Sequence, residues 1–168
     1  MSQIIKKHNK KIANPKSQAT KPSCNCRIKS QCPLQGKCST QNVIYKATAT
    51  TPSANPKTYI GLTEGPFKQR YYQHKMSFTH SKYKQSTTLS KFIWDSKTAG
   101  FTPDISWSIS KSAPAYNNIT KRCLLCLTEK LSIISFENQT DLLNNRSELL
   151  AKCRHQNKFL LSNFRAKV

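Results

Sequence analysis

The sequence predicts an α/β protein with a small three-stranded sheet flanked by helices and a cysteine-rich, zinc-knuckle-like segment ahead of it. Three short runs with β-branched or alternating apolar residues are typical of strands. Four longer runs repeat apolar residues at helical spacing. The order strand, strand, helix, helix, strand, helix, helix favours a sheet covered by helices. Four cysteines stand between residues 24 and 38, before the first strand.

Charge and composition divide the chain and indicate its partner. Residues 1–22 are rich in Lys, Gln, Ser and Pro without a sustained period, which predicts a basic, disordered tail. Residues 23–40 are the cysteine-rich segment, a small unit of its own, and residues 41–163 form the main domain. With 28 basic against 7 acidic residues, the net charge is +21. Such an excess indicates a polyanionic partner and salt-dependent binding. A solvated basic surface is the alternative.

The sequence has no apolar run of membrane length and no signal-peptide pattern. We therefore expect an intracellular, reducing location and no membrane partner. We also expect no small-molecule cofactor. In that compartment seven cysteines are more readily metal ligands or buried thiols than disulfides.

The first half of the domain is predicted to be a hairpin followed by a helix. Residues 42–49 and 57–62 are the two strands, and residues 52–56 connect them. A helix over residues 66–78 begins with Pro66 in its first turn. Its core-facing stripe follows the spacing i, i+4, i+7 and i+11 and consists of Phe67, Tyr71, His74 and Phe78. Arg70 lies at the edge of that stripe.

The second half supplies the remaining elements. Residues 86–97 are predicted to be helical, with Leu89, Phe92, Ile93 and Trp94 on the buried face. Residues 105–109 alternate and predict the third strand, and residues 114–118 a loop. Residues 121–136 form the strongest helix, with a core stripe of Leu124, Leu127, Leu131 and Ile134. A last helix is predicted over residues 146–161.

The first cysteine group favours a metal site. A short segment with Pro and Gly but few apolar residues cannot order itself by burial, whereas four thiolates around Zn²⁺ can order it. The expected ligands are Cys24, Cys26, Cys32 and Cys38. Because their spacing is not the usual paired Cys-X-X-Cys, a fourth ligand from elsewhere is an alternative. Reduced cysteines in a plain loop are another.

A second group has the composition of a Cys₃His zinc site. Cys123 and Cys126 stand at i, i+3 near a helix N-terminus, where the helix dipole favours thiolates. Cys153 and His155 would complete the site. Residues at i, i+2 do not share a helix face, so the last helix would have to break between them. The alternative is a buried contact between Cys123 and Cys153.

An ordered set of motifs resembles the GIY-YIG nuclease family. The set is Val43-Ile44-Tyr45, then Tyr59-Ile60-Gly61, then Arg70 on the next helix, then Glu129 and Asn144. The nearest resemblance is to the endonuclease domain of Penelope-like retroelements, over about residues 23–160. Those domains also carry a cysteine-rich stretch before the first motif, a Cys-X-X-Cys before the glutamate and a late Cys-Arg-His. One position departs from the family pattern, because Val43 stands where the first motif has glycine.

The resemblance implies a role for each matching residue. Glu129 would hold one Mg²⁺ or Mn²⁺, and Arg70 would bind a phosphate oxygen. Tyr45 would activate or orient the attacking water, helped by its surroundings because a phenol ionises only near pH 10 or so. Tyr59 would join that network and His74 would assist proton transfer. Asn144 would anchor the site loop, and Gly61 is expected to form a structural turn. Ordinary strand aromatics are the alternative for the tyrosines, and core packing for His74.

The implied function is a metal-dependent DNA endonuclease that nicks target DNA in the nucleus. The 3′-hydroxyl left at the nick would be extended by a reverse transcriptase present in cis in the full element. Zinc would be structural. The alternative is a non-catalytic, zinc-stabilised nucleic-acid-binding module, a remnant of a retroelement.

Overall fold

A three-stranded antiparallel sheet forms the centre of the computed structural model, which describes residues 23–52, 54–145, 149, 153 and 155. The strands are β1 (Val43–Thr51), β2 (Ala54–Thr63) and β3 (Asp104–Ser112), in the order β2-β1-β3. The predicted small sheet is confirmed, and the cysteine cluster of residues 24–38 precedes it.

Helices cover both faces of the sheet. Helices α1 (Phe67–Thr79) and α2 (Thr88–Thr98) pack on one face, against Tyr45, Ala47 and other odd-numbered residues of β1. Helix α3 (Leu124–Ile134) packs on the other face, against Ile44 and Ile60. This alternation follows from the period of two along a strand. The predicted mixed α/β layering and the core stripe of α1 are therefore confirmed.

Within the described ranges, no helix has both the length and the apolar character needed to cross a membrane.

The hairpin is longer than the sequence predicts. β2 begins at Ala54, which pairs with Thr51, so most of the predicted connection belongs to the strands. Pro56 has no N–H to donate, yet β2 tolerates it because β2 is an edge strand of this sheet.

The helix predicted from residue 121 starts later in the structure. The prediction of a plain loop over residues 114–118 is also wrong. Strand β4 (Tyr116–Asn117) pairs with β5 (Arg122–Cys123) in a short hairpin, and Lys121 has a left-handed φ of 54°. A helix cannot begin before that residue, so α3 starts at Leu124. It ends at Ile134.

The core face predicted for α3 is also wrong. Leu124, Leu131 and Ile134 are 44%, 46% and 51% exposed, whereas Leu125 and Ile133 are buried. This helix is apolar on both faces, so periodicity alone does not select the buried one. The backbone N–H of Leu125, which donates to Pro114 O at 3.0 Å, helps fix its rotation.

The cysteine-rich segment is packed against the domain and does not stand alone. Leu34 joins the core on the α1 face. Pro66 gives α1 no side-chain cap, and the first N–H groups of the helix donate to this segment instead. Phe67 N donates to Thr40 O at 2.9 Å and Lys68 N to Cys38 O at 2.8 Å. The segment therefore caps α1 through its backbone carbonyls.

Two predictions lie outside the described residues. These are the tail of residues 1–22 and most of the helix expected over residues 146–161, of which the structure describes only Leu149, Cys153 and His155.

Gly61 lies inside β2, so its prediction as a structural turn is wrong. It pairs with Tyr45 across the sheet. A Cβ placed on Gly61 would lie 2.5 Å from the Tyr45 hydroxyl oxygen and 2.7 Å from Cζ. Glycine is needed here because the tyrosine ring lies directly over the backbone of β2.

We predict that Gly61→Ala lowers the free energy of unfolding by about 1–3 kcal/mol, because the added methyl displaces a packed ring. Urea denaturation measures this change. Gly65→Ala is the matched control, since its Cβ would meet only the flexible Gln69 side chain at 3.1 Å. Equal effects of the two substitutions would contradict the close-packing explanation.

Candidate active-site cleft and metal-binding clusters

A buried hydrogen-bonded group lies between β1 and α1. The Tyr45 hydroxyl is 2.7 Å from His74 Nε2, and Arg70 Nε donates to the same hydroxyl oxygen at 3.1 Å. Arg70 and His74 are one helical turn apart, so both reach one point on β1. Tyr45 is 0% exposed and His74 2% exposed. Tyr45 and Arg70, two members of the nuclease-like motif set, are therefore in direct contact, and His74 joins them.

Arg70 is surrounded by phenol oxygens. Burial acts to lower its pKa, but Tyr45 and Tyr59, which both interact with the guanidinium, raise it overall. Nη1 also donates to Gln73 Oε1 at 3.0 Å. The arginine is a fixed, charged group in this position.

His74 is neutral at physiological pH. Burial, together with the nearby Arg70 cation, lowers the pKa of His74 from 6.5 to about 3. The Tyr45 oxygen already accepts from Arg70, which directs its own hydrogen towards His74 Nε2. His74 then carries its proton on Nδ1 and acts as the acceptor.

A cleft of about 440 Å³ opens beside this group, next to the end of β2. Tyr59 and Arg70 line it from the side of β2 and α1. Glu129 and Lys130 line it from α3, which packs on the opposite face of the sheet. The cleft thus brings together residues from two layers that are separated elsewhere by the sheet. Tyr59, which is only 6% exposed, contributes to the lining of the cleft, whereas the fully buried Tyr45 does not.

Asn144 fastens a later segment to the outer edge of β2. Its Oδ1 accepts from Ile60 N at 2.7 Å, and its Nδ2 donates to Ile60 O at 2.8 Å. Leu143 N donates to Thr58 O at 2.8 Å, so residues 142–144 run along the strand like an extra edge. These contacts satisfy backbone groups of the edge strand next to Tyr59.

The first cysteine cluster, which comprises Cys24, Cys26, Cys32 and Cys38, can hold a metal ion such as zinc. Its four Sγ atoms lie within 4.8 Å of one another, with contacts of 3.4–3.6 Å. A Zn–S bond of about 2.3 Å gives tetrahedral S–S distances of about 3.8 Å, close to those contacts. Gly36 N also donates to Cys32 Sγ at 3.1 Å.

One thiol of this cluster is poised to ionise. Burial raises the pKa of Cys32, but the backbone N–H groups of Gly36 and Leu34 outweigh it and bring the pKa to about 6. Burial and the neighbouring sulfurs raise the pKa of Cys38 to about 12. Without a cation the four sulfurs cannot all be thiolates, whereas a bound metal ion favours all four together.

The second cysteine cluster, which comprises Cys123, Cys126, Cys153 and His155, also assembles. Cys126 Sγ is 3.2 Å from Cys123 Sγ and 3.3 Å from Cys153 Sγ, and Cys153 Sγ is 3.8 Å from His155 Nδ1. Cys123 precedes α3 as its N-cap. Neither Cys153 nor His155 is helical, so both side chains can point towards one site although they are only two residues apart. The donor atoms of Cys123, Cys153 and His155 lie within 4.8 Å of one another and suit a metal ion, whereas Cys126, the fourth predicted ligand, contacts the two sulfurs but falls outside that group.

The second cysteine cluster forms part of the cleft wall. Cys126, Cys153 and His155 line the cleft together with Glu129, which follows Cys126 by one turn of α3. Burial acts to raise the pKa of Cys153, but the His155 N–H and other contacts lower it to about 7. A metal ion here would tie Cys153 and His155 to the N-cap of the helix that carries Glu129.

Glu64 and Lys130 line the cleft, although sequence reasoning did not select them. Glu64 Oε1 is 3.5 Å from His155 Nδ1. Lys130 is 6% exposed and donates to Leu149 O at 2.6 Å. The chain has only 7 acidic residues, so each of them, Glu64 included, was a candidate carboxylate for the site. Nothing in the sequence marked Lys130 among 28 basic residues.

No protein-family model, curated protein or solved structure matches this chain.

We predict that protein purified under reducing conditions contains zinc in both clusters. Cys38→Ser should remove the zinc of the first cluster and Cys153→Ser that of the second, because each substitution takes a thiolate ligand from its site. Elemental analysis measures the zinc content per chain. His80→Ala replaces an exposed histidine outside both clusters and should retain all of it. Undiminished zinc in either cysteine variant would contradict the assignment.

We predict that acidification destabilises the protein through His74. The folded pKa of about 3 lies below the ordinary 6.5, so the unfolded chain binds the proton more readily between these values. The stability that neutral His74 contributes is full above pH 6.5 and is lost as the pH falls towards 3. Between pH 7 and pH 5, His74 should account for about 2 kcal/mol of this loss.

Urea unfolding at the two pH values measures the effect. His74→Gln should lose about that much less stability than wild type on acidification, while His80→Gln should behave like wild type. Metal loss at low pH affects all three proteins alike. If the free energy of unfolding of His74→Gln depends on pH as that of wild type does, the assignment of His74 as a buried neutral group is refuted.

Proposed function

We propose that this protein is a metal-dependent DNA endonuclease of the GIY-YIG type. The observation that carries the proposal is the cleft in which Tyr59 and Arg70 from one layer meet Glu129 from another, above the buried Tyr45–His74 pair. Those residues are distant in sequence and match the order of the family's motifs. Core packing alone gives no reason for a charged arginine and a carboxylate from two different layers to line the same cleft.

Arg70 is suited to hold the scissile phosphate. Its guanidinium is charged, oriented by Tyr45 and Gln73, and borders the cleft. A pre-oriented guanidinium stabilises the negative charge that builds on phosphate oxygens during attack by water. The net charge of +21 supports binding to the surrounding DNA backbone.

Glu129 and Glu64 supply the cleft with carboxylate oxygens, the donors that Mg²⁺ or Mn²⁺ prefers. One or two carboxylates are enough, because Mg²⁺ commonly keeps several waters and binds substrate phosphate as well. When bound, the ion would supply charge neutralisation at the phosphate and at the departing oxygen. We propose Glu129 as its principal ligand.

We assign different tasks to the two tyrosines. Tyr59 borders the cleft and is placed to orient the attacking water. Tyr45 is fully buried, and its hydroxyl contacts Arg70 and His74, so it acts as a positioning residue that fixes the guanidinium. The resemblance implied water activation by Tyr45 and proton transfer by His74. Burial favours the positioning role for both.

In this proposal zinc is structural. The first cysteine cluster supports the N-terminus of α1, which carries Arg70, and the second supports the start of α3, which carries Glu129. The motifs ahead of β1 and after Glu129 further suggest an endonuclease of a Penelope-like retroelement. It would nick nuclear DNA and leave a 3′-hydroxyl for a reverse transcriptase in cis.

The second candidate is a zinc-stabilised nucleic-acid-binding module without catalysis. The complete burial of Tyr45 favours it, because a buried phenol cannot meet water directly. Such a module would bind DNA through its basic surface and leave the substrate intact. The two candidates therefore differ in turnover and agree in binding.

We predict that the protein nicks supercoiled plasmid in the presence of Mg²⁺ and that Glu129→Gln slows nicking roughly 100-fold or more. Gel electrophoresis of the relaxed product measures the rate. Glu137→Gln is the matched control, because Glu137 is exposed and lies outside the cleft. Equal nicking rates in wild type and Glu129→Gln would contradict the assignment of Glu129 as a catalytic residue. DNA binding without any nicking would favour the second candidate.

The same assay separates the tyrosines. Tyr59→Phe should lower kcat at saturating DNA. Tyr45→Phe should raise KM and lower kcat together, because Arg70 loses the fixed orientation with which it holds the phosphate and stabilises its developing charge. A loss of kcat in Tyr45→Phe as complete as in Glu129→Gln would instead identify Tyr45 as the group that activates water.

A further inference from the structure

A second groove, here called the side groove, adjoins the cleft along α1. It measures about 460 Å³ and shares Gln69, Arg70 and Gln73 with the lining of the cleft. Its other border includes Tyr72 and Met76 on α1 and Tyr83 on the turn that follows. The volume lies within the range of about 300–1,000 Å³ typical of sites for small aromatic ligands. Arg70 is thus the junction of two concave surfaces.

The border of the side groove is aromatic and exposed. Tyr72 is 52% exposed, Met76 48% and Tyr83 41%. These large apolar side chains come from two consecutive elements and border one groove, whereas the core stripe of α1 faces the sheet. Clustered exposed apolar groups of this kind mark a binding surface.

Lysines accompany the exposed rings. Lys68 Nζ lies 6.0 Å from the centre of the Tyr72 ring, and Lys82 Nζ lies 4.7 Å from that of Tyr83. An apolar protein segment needs the rings but not the ammonium groups. A nucleic acid strand uses both, because its bases stack on aromatic faces while its phosphates attract cations.

We propose that the side groove binds an unpaired nucleobase of the DNA strand whose phosphate is held by Arg70. This rests on the proposed nuclease function and specifies its substrate. Because Arg70 borders both surfaces, a phosphate in the cleft places the adjoining nucleotide at the side groove. A base stacked inside a duplex cannot enter, so an extruded or single-stranded base is required. The preferred substrate is therefore DNA with an unpaired base next to the nicking position.

The test compares two fluorescein-labelled duplexes of equal length, one fully paired and one with a single unpaired adenine. Anisotropy titrations without Mg²⁺ measure binding in the absence of cleavage. Wild type should bind the duplex with the unpaired base about tenfold more tightly, as expected for one base–aromatic stack. Tyr72→Ala should abolish most of this preference and leave the affinity for paired DNA unchanged. Tyr72→Phe should retain it, because stacking needs only the ring.

Phe101→Ala is the matched control, since Phe101 is another exposed aromatic and lies outside the side groove. It should keep the wild-type preference. Equal affinity of wild type for both duplexes would overturn the proposal, as would a Tyr72→Ala variant that loses affinity for both alike. The plasmid assay tests the nuclease proposal separately. A protein that prefers the unpaired base but never nicks plasmid would contradict only the nuclease proposal.

Discussion

The structure depends on burying the hydroxyl of one tyrosine. A buried phenol oxygen is costly unless it is hydrogen-bonded, and Tyr45 meets that requirement with Arg70 and His74. The arrangement constrains three elements at once. β2 must offer a glycine opposite the ring, α1 must present two polar side chains one turn apart, and β1 must hold Tyr45 on the α1 face.

Two cysteine clusters serve the two walls of the cleft in similar ways. The N-cap position of α1 is Pro66, which offers no side-chain cap, so the first N–H groups of the helix rely on carbonyls of the first cluster's segment. The N-cap of α3 is Cys123, whose sulfur accepts from Cys126 N. In both cases a loop whose cysteines could hold a metal ion completes the end of a helix that lines the cleft. A metal ion held in either loop would therefore be coupled to the cleft geometry through a helix terminus.

The sequence was most informative where local pattern and tertiary contact agree. The hairpin strands, the stripe of α1 and the grouping of Tyr45, Arg70 and His74 follow from periodicity and motif order. The buried face of α3 could not be predicted in this way. Both faces of that helix carry apolar residues, and tertiary contacts alone determine which face is buried. Gly61 was misread as a turn because a close approach by a ring from another strand leaves no local signal. Lys130 was missed because its burial depends on residue 149.

The cleft is chemically asymmetric, and this bears on how a strand would lie in it. Arg70 and Tyr59 occupy one wall, and Glu129 with the second cysteine cluster occupies the other. A phosphodiester between them would have its anionic oxygens towards the arginine and a cation held at the carboxylate. Tyr72 and Tyr83 border the side groove next to Arg70, and Lys68 and Lys82 lie against their rings. Continuation of the strand is therefore favoured towards α1, where rings meet bases and ammonium groups meet phosphates.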